Sequence, residues 1–200
     1  MNKKILLISG PSGVGKSFLQ DKLATKNYQK LIPSTTRNPR IGEVDGVDYN
    51  FLLPENYQRL KNQKLFLTDY LIGGQHYCFR KDFLSQIVKT PIIVIATQTI
   101  LDFVQIFSNF ELIYLFPKNM EILQRNMQKR GDSESEIIKR LKMAENELII
   151  WVGIKNKIKN TKIIENDYNL LEFIQNLELE TRTGNKEFRE KFFRPIFKIH

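Results

Sequence analysis

The stretch Gly10-Pro11-Ser12-Gly13-Val14-Gly15-Lys16-Ser17 constrains this chain more than any other. It fits G-x-x-x-x-G-K-[ST], the Walker A phosphate loop, and its flanks agree with that reading. Ahead of it, Ile5 to Ser9 is a short apolar run that reads as a buried strand; behind it, Ser17 to Ala24 reads as a helix with Leu19 and Leu23 on one face. The glycines let backbone N–H groups turn inward around phosphate oxygens, and the start of the helix adds a partial positive charge. In such a loop Lys16 reaches the β/γ-phosphates and the Ser17 hydroxyl ligates Mg²⁺. ATP and Mg²⁺ are therefore the expected ligands, with Gly10 to Ser17 as the ATP-binding segment. A chance Gly/Ser turn would not be expected to bring both the complete motif and the correct flanking elements.

Two hundred residues with 42% hydrophobic content make one compact domain with a real core. The apolar run before the loop is too short for a secretory leader, and no run approaches the roughly 18 residues a membrane helix needs. One cysteine, Cys78, leaves no internal disulfide to form and fits a reducing, cytoplasmic setting; it reads as a packed thiol rather than a nucleophile. The net charge of +9 fits either nucleic acid or polyanionic small molecules. Part of the excess lies in residues 181–200, where basic residues interleave with Phe188, Phe192, Phe193 and Phe197. That tail reads as a terminal segment docking its aromatics on the body, with binding of single-stranded nucleic acid as the alternative.

Continuous apolar runs at Ile5–Ser9, Pro91–Ala96 and Glu111–Phe116 predict central parallel strands, with a fourth at Lys162–Glu165. Helices are expected at 17–26, 81–89, 99–107 and 168–178, and along 118–151 with a break at Arg130-Gly131-Asp132-Ser133. Ser133 and Glu136 form a capping-box pattern for a helix from 134. Residues 152–162 read as a solvated turn or helix end. The alternation predicts a three-layer α/β fold with a central parallel sheet. Residues 32–80 are richer in Pro and Gly, with β-prone runs at Tyr49–Leu52 and Phe66–Thr68, and read as a partly β lobe inserted after the first helix. Within it, Arg37 and Arg40 flank Pro39, with hydroxyls and Tyr49 nearby. Two such arginines can hold a phosphate through bidentate bonds or can sit on an ordinary exposed loop.

Taken together, G-P-S-G-V-G-K-S and S-T-T-R-x-P-R-x-G-E-x-D-G-x-D-Y-x-F resemble the guanylate kinase family. The resemblance continues through Phe66-Leu67, Gly74-Gln75-His76-Tyr77, Arg125, Arg130-Gly131, Lys139-Arg140-Leu141, Ala144 and Ile164 to Asp167, so it spans about residues 4–170. It implies a P-loop NTPase fold within residues 1–180: a core (1–32, 86–118, 146–180), an acceptor-binding lobe (33–85) and a helical lid (119–145). It also implies that Ser34, Arg37, Arg40, Tyr49 and Tyr77 bind the phosphate of a small phosphorylated acceptor. Arg125, Arg130 and Arg140 would contact transferring phosphates from the lid side, with Lys16 and Arg37 completing the catalytic set. The chain would be a monomer or homodimer.

The sequence departs from the family where guanine is read. The position of the family's base-binding Glu is Thr68, a base-reading hydroxyl is replaced by Phe79, and the strand-end D-x-D is replaced by Ile95-Ala96-Thr97-Gln98. Asp69 would stand in for the Glu only if a loop deletion shifted the register, because strand alternation points it the other way. Glu43 or Asp45 would either assist Mg²⁺ or serve turn geometry. The leading expectation is an ATP-dependent kinase for GMP or another nucleoside monophosphate. The alternatives are a sugar-phosphate kinase, like the related ribose 1,5-bisphosphate kinases, and a non-catalytic phosphopeptide-binding module. Such modules typically lose the phosphate loop, which is intact here.

Overall fold

A computed structural model of the chain describes residues 4–24, 28–85 and 87–166. The chain opens with strand β1 (Ile5–Ser9), the glycine loop and helix α1 (Lys16–Leu23), followed by short strands β2 (Tyr28–Lys30), β3 (Ser34–Thr35) and β4 (Asn50–Phe51). Helix α2 (Pro54–Asn62) leads to the hairpin β5 (Phe66–Ile72) and β6 (Gln75–Arg80). Strand β7 (Thr90–Val94), helix α3 (Ile100–Ile106), strand β8 (Phe110–Pro117), helices α4 (Met120–Lys129) and α5 (Glu134–Ile154), and strand β9 (Thr161–Asn166) complete it.

The main sheet has the order β2-β7-β1-β8-β9, and every pairing in it is parallel. Alternation along β1 sends Leu6 and Ile8 to one face, where they pack with Leu19 and Leu23 of α1, Leu123 and Met127 of α4, and Ile137 and Ala144 of α5. Ile5 and Leu7 face the other side, with Phe103 of α3 and Trp151 from the end of α5. Both faces of the sheet are covered, so its strands read as unbroken apolar runs. The fold is a three-layer α/β P-loop fold. Because β1 is central and its neighbours lead to opposite edges, the glycine loop lies at the carboxyl ends of the strands, where open α/β sheets place their ligands.

The inserted segment forms a second sheet, β4-β3-β6-β5, with antiparallel β3–β6 and β5–β6 pairs. Helix α2 covers its outer face: Tyr57 stacks on His76 at 4.2 Å and on Phe66 at 5.7 Å between ring centroids.

Several elements differ from the sequence expectation, among them the short edge strand β2, which was not expected. The helix expected over 81–89 is only a 3₁₀ turn, Lys81–Leu84. β-Branched Ile87 and Val88 favour extended backbone, and the strand begins at Thr90. Conversely, α2 was not expected, although Pro54 at its first position is a helix start signal. The break at 130–133 occurs as expected: Gly131 takes φ 84°, and the Ser133 hydroxyl accepts a bond from the Glu136 amide at 3.4 Å. The helix expected at 168–178 and the 181–200 tail lie outside the described residues.

Candidate active site

The glycine loop is built so that side chains would block it. Gly10 has φ 138°, and a Cβ there would come within 2.3 Å of the Leu115 carbonyl oxygen. Gly15, with φ 99°, caps α1 in a left-handed conformation and lets the loop amides turn toward the helix axis. In this loop Lys16 Nζ donates to the carbonyls of Gly10 (2.6 Å) and Pro11 (2.9 Å), so the ammonium is folded back over its own loop. Asn126 of α4 donates to the Gly13 carbonyl at 2.8 Å and ties that helix to the loop.

Across a cleft of about 830 Å³ stand Arg37 and Arg40. Glu43 fixes both. Arg37 donates to its carboxylate in bidentate fashion (2.8 and 2.9 Å), the Arg40 amide donates at 2.7 Å, and the Arg40 guanidinium sits 3.6 Å away. Arg37 also lies over the ring of Tyr49 at 5.1 Å, and Tyr49 meets Tyr77 edge-on at 6.0 Å. With its terminal nitrogens held, Arg37 keeps a buried Nε that has no partner, as does Arg40. Both are buried donors without a protein partner among the described residues.

From α4, the turn after it and α5 come Arg125, Arg130 and Arg140, all lining the same cleft. Asp132 bonds Arg130 and lies 3.5 Å from Arg140, and Glu136 accepts from Arg140 at 2.7 Å. Arg140 also reaches the Ser12 hydroxyl at 3.4 Å. The electrostatics record the convergence. Arg40 is pulled below its ordinary pKa first by burial and then by repulsion from Arg37, Arg140 and Arg130. Lys16 is lowered by burial, with Arg40 and Arg130 adding to the effect and Glu147 opposing it. Such a concentration of cations in one cleft attracts polyanions.

The opposite end of the cleft is apolar. Tyr70, Ile72, Phe79, Val94, Ala96 and Phe103 wall it. Phe79 meets Phe103 edge-on at 5.4 Å, and Tyr70 lies 6.0 Å from Phe103.

The structure thus brings together Ser12, Gly13, Gly15, Lys16, Ser17, Arg37, Arg40, Tyr49, Tyr77, Phe79, Arg125, Arg130 and Arg140 around one cleft. Gly10, Pro11 and Val14 form the loop behind it. Ser34 and Thr68 do not line the cleft: both are buried, and each hydroxyl lacks a partner. Residues that the sequence did not single out also line it, among them Asn126, Lys129 and Glu147.

A family model described as guanylate kinase matches residues 2–177. The chain belongs to the guanylate kinase family. The guanylate kinase of Caldanaerobacter subterraneus subsp. tengcongensis is 35% identical over 150 residues, 72% of this chain and 73% of that protein. That of Synechocystis is 31% identical over 177 residues, 86% of this chain and 93% of that one. The crystal structure of guanylate kinase from Anaplasma phagocytophilum shares the fold, with a TM-score of 0.66 at 23% identity, covering 92% of this chain and 87% of that chain.

Within this guanylate kinase family fold, Asp69 is not among the residues that line the cleft. Its carboxylate points to the outer face of the inserted sheet, accepting from Tyr57 (2.7 Å) and bonding His76 Nδ1 (2.8 Å). The Cys78 thiol donates to it at 3.4 Å, and burial first, then Asp69, pushes that thiol's pKa up, so Cys78 is a packed residue. Asp45 accepts from the Phe51 amide at 2.8 Å, and Glu43 belongs to the arginines; both serve the inserted lobe's geometry. Among the described residues, no helix is long and apolar enough to cross a membrane.

Proposed function

We propose that this protein transfers the γ-phosphoryl group of ATP to the phosphate of a nucleoside monophosphate, with GMP, the acceptor in its relatives' name, as the first candidate. The observation that supports this best is the placement of two separate anion-binding sets, the glycine loop and the Arg37–Arg40 pair, across one cleft.

In this reading the loop amides and Lys16 hold the β- and γ-phosphates, and Lys16 leaves the Gly10 and Pro11 carbonyls to do so. Arg37 and Arg40 hold the acceptor phosphate through the edges Glu43 leaves open, with the Tyr49 and Tyr77 hydroxyls beside them. An acceptor phosphate oxygen attacks the γ-phosphorus, the bond to the β,γ-bridging oxygen breaks, and ADP leaves. The acceptor phosphate is largely ionised near neutral pH, so no side chain need take a proton from it. Positioning and charge neutralisation then do most of the work, the latter through Arg125, Arg130 and Arg140. Ser17 lines the cleft as an exposed hydroxyl at the start of α1, which suits a hard cation bound by oxygens. When bound there, Mg²⁺ supplies neutralisation of the β- and γ-oxygens. Closure of α4 and α5 would exclude water, the competing acceptor.

The test is ADP release with ATP, Mg²⁺ and a panel of nucleoside and deoxynucleoside monophosphates, with Lys16→Ala as the blank. Turnover of a monophosphate, GMP first, is expected. An intact phosphate loop that binds ATP and transfers to no monophosphate would overturn the proposal.

A further inference from the structure

Among the described residues, two carboxylates line the cleft, Glu136 and Glu147. Glu136 is committed to Arg140 at 2.7 Å. Glu147 is different: its Oε2 is buried and has no hydrogen-bond partner. It sits on the inward stripe of α5, between Ala144 and Trp151, both fully buried. Helix α5 packs on the 3₁₀ turn Thr97–Thr99 just past β7. Glu147 lines the same cleft as Ala96 at the strand end, where Ile95-Ala96-Thr97-Gln98 carries no acid. Burial raises its pKa, while Lys16 and the Ser12 amide favour the charged form. The carboxylate thus lies beside both the loop and its lysine.

A buried carboxylate oxygen without a partner is costly to keep. The cost is relieved if a ligand supplies the missing partner. A phosphate cannot do so, since it repels a carboxylate; a cation or a cation-bound water can. In phosphate-loop proteins the cation that accompanies the nucleotide is held by the loop hydroxyl and by a second acid. Here Ser17 supplies the hydroxyl.

We propose that Glu147 is this protein's second acid, holding the divalent cation that accompanies ATP, directly or through one water, from helix α5 rather than from a strand end. The proposal rests on the ATP-binding reading of the glycine loop. It predicts that Glu147 contributes to the nucleotide complex only when the cation is present.

Calorimetric ATP binding, measured on the full chain with Mg²⁺ and with EDTA, separates the possibilities. Titration of Mn²⁺ by electron paramagnetic resonance in the presence of ATP provides a second readout. Glu147→Gln should weaken Mn²⁺ in the ATP complex roughly 10–100-fold. ATP binding in EDTA should stay unchanged or tighten, because a charge that repels phosphate is gone. Equal Mn²⁺ affinity in both proteins would overturn the proposal. So would parallel losses with and without the cation, which would make Glu147 a support for the loop or for Lys16. If Glu147→Gln does not fold, Glu147→Asp provides the test: the shortened carboxylate should weaken Mn²⁺ and spare ATP binding in EDTA. Failure of the wild-type chain to bind ATP under any condition would overturn the loop reading itself, a result distinct from Mn²⁺-independent binding.

Discussion

The two ends of the cleft follow opposite rules. At the phosphate end, most cations are held by a named partner: Lys16 by its loop carbonyls, Arg37 and Arg40 by Glu43, Arg130 by Asp132, and Arg140 by Asp132 and Glu136. At the other end, Tyr70, Phe79, Ala96 and Phe103 offer rings and methyl groups, and the buried Thr68 hydroxyl behind them has no partner. The difference shows where the protein is committed. At the phosphate end the arginines are held in place by carboxylates, a form of electrostatic preorganisation, whereas Lys16 has to leave its loop carbonyls to reach a ligand. On the proposed function, the apolar end would select by shape and stacking, so that it would grip a base weakly by polarity and set the choice of acceptor.

The comparison would break first at Lys16. Lys16→Ala should lower turnover roughly 10²–10³-fold while leaving the melting temperature nearly unchanged, since Lys16 bonds only its own loop. A mild effect, measured by ADP release, would deny the phosphate end its catalytic role. Gly10→Ala probes the loop's backbone instead. Its Cβ would overlap the Leu115 carbonyl, so a loss of about 3 kcal/mol, or roughly 6–12 °C in melting temperature, is expected by calorimetry.

Acid should affect the phosphate end before the apolar one. For Glu43, burial would raise the pKa, but the Arg37 bonds and the Arg40 amide outweigh it and the pKa is lowered. For Asp132 the Arg130 bonds lower it, against burial. Both folded-state values lie below the unfolded ones, so both groups stabilise the fold above about pH 4, and that contribution is lost as pH falls below it. Chemical denaturation across this range should show the loss, and a Glu43→Gln variant should show a smaller slope. The smallest effect is expected at the apolar end. Thr68→Val removes a buried hydroxyl with no partner at constant shape, so it should be neutral or stabilise by up to about 1 kcal/mol.

Much of the phosphate end was legible in the sequence because it is local. β1, the glycine loop and α1 are contiguous, and Arg37, Arg40 and Glu43 fall within one turn-rich stretch. Strand alternation also fixed the outcome for Asp69, which faces Tyr57 and His76 as its parity requires. What stayed hidden depends on distance or on weak local signal. Helix α2 turns only Tyr57 and Leu60 inward, so its polar sequence resembles a loop. Glu147 sits in an unbroken helical run, and its role depends on a glycine loop more than a hundred residues away. One signal did exist: Arg140, Ala144, Glu147 and Trp151 share helical spacing on one face, and a carboxylate among buried residues calls for a partner. Tyr70 and Phe103 meet only because the inserted sheet and α3 close over the same cleft.

On the proposed function, Arg37 holds the phosphate common to every acceptor, whereas the apolar end distinguishes the bases. The most direct test is kcat/KM for GMP and the other nucleoside monophosphates with wild type and Arg37→Ala. The account predicts a loss of roughly 10–100-fold of similar size for every acceptor that the wild type uses, leaving their rank order unchanged. A loss confined to one base, or no loss at all, would contradict it.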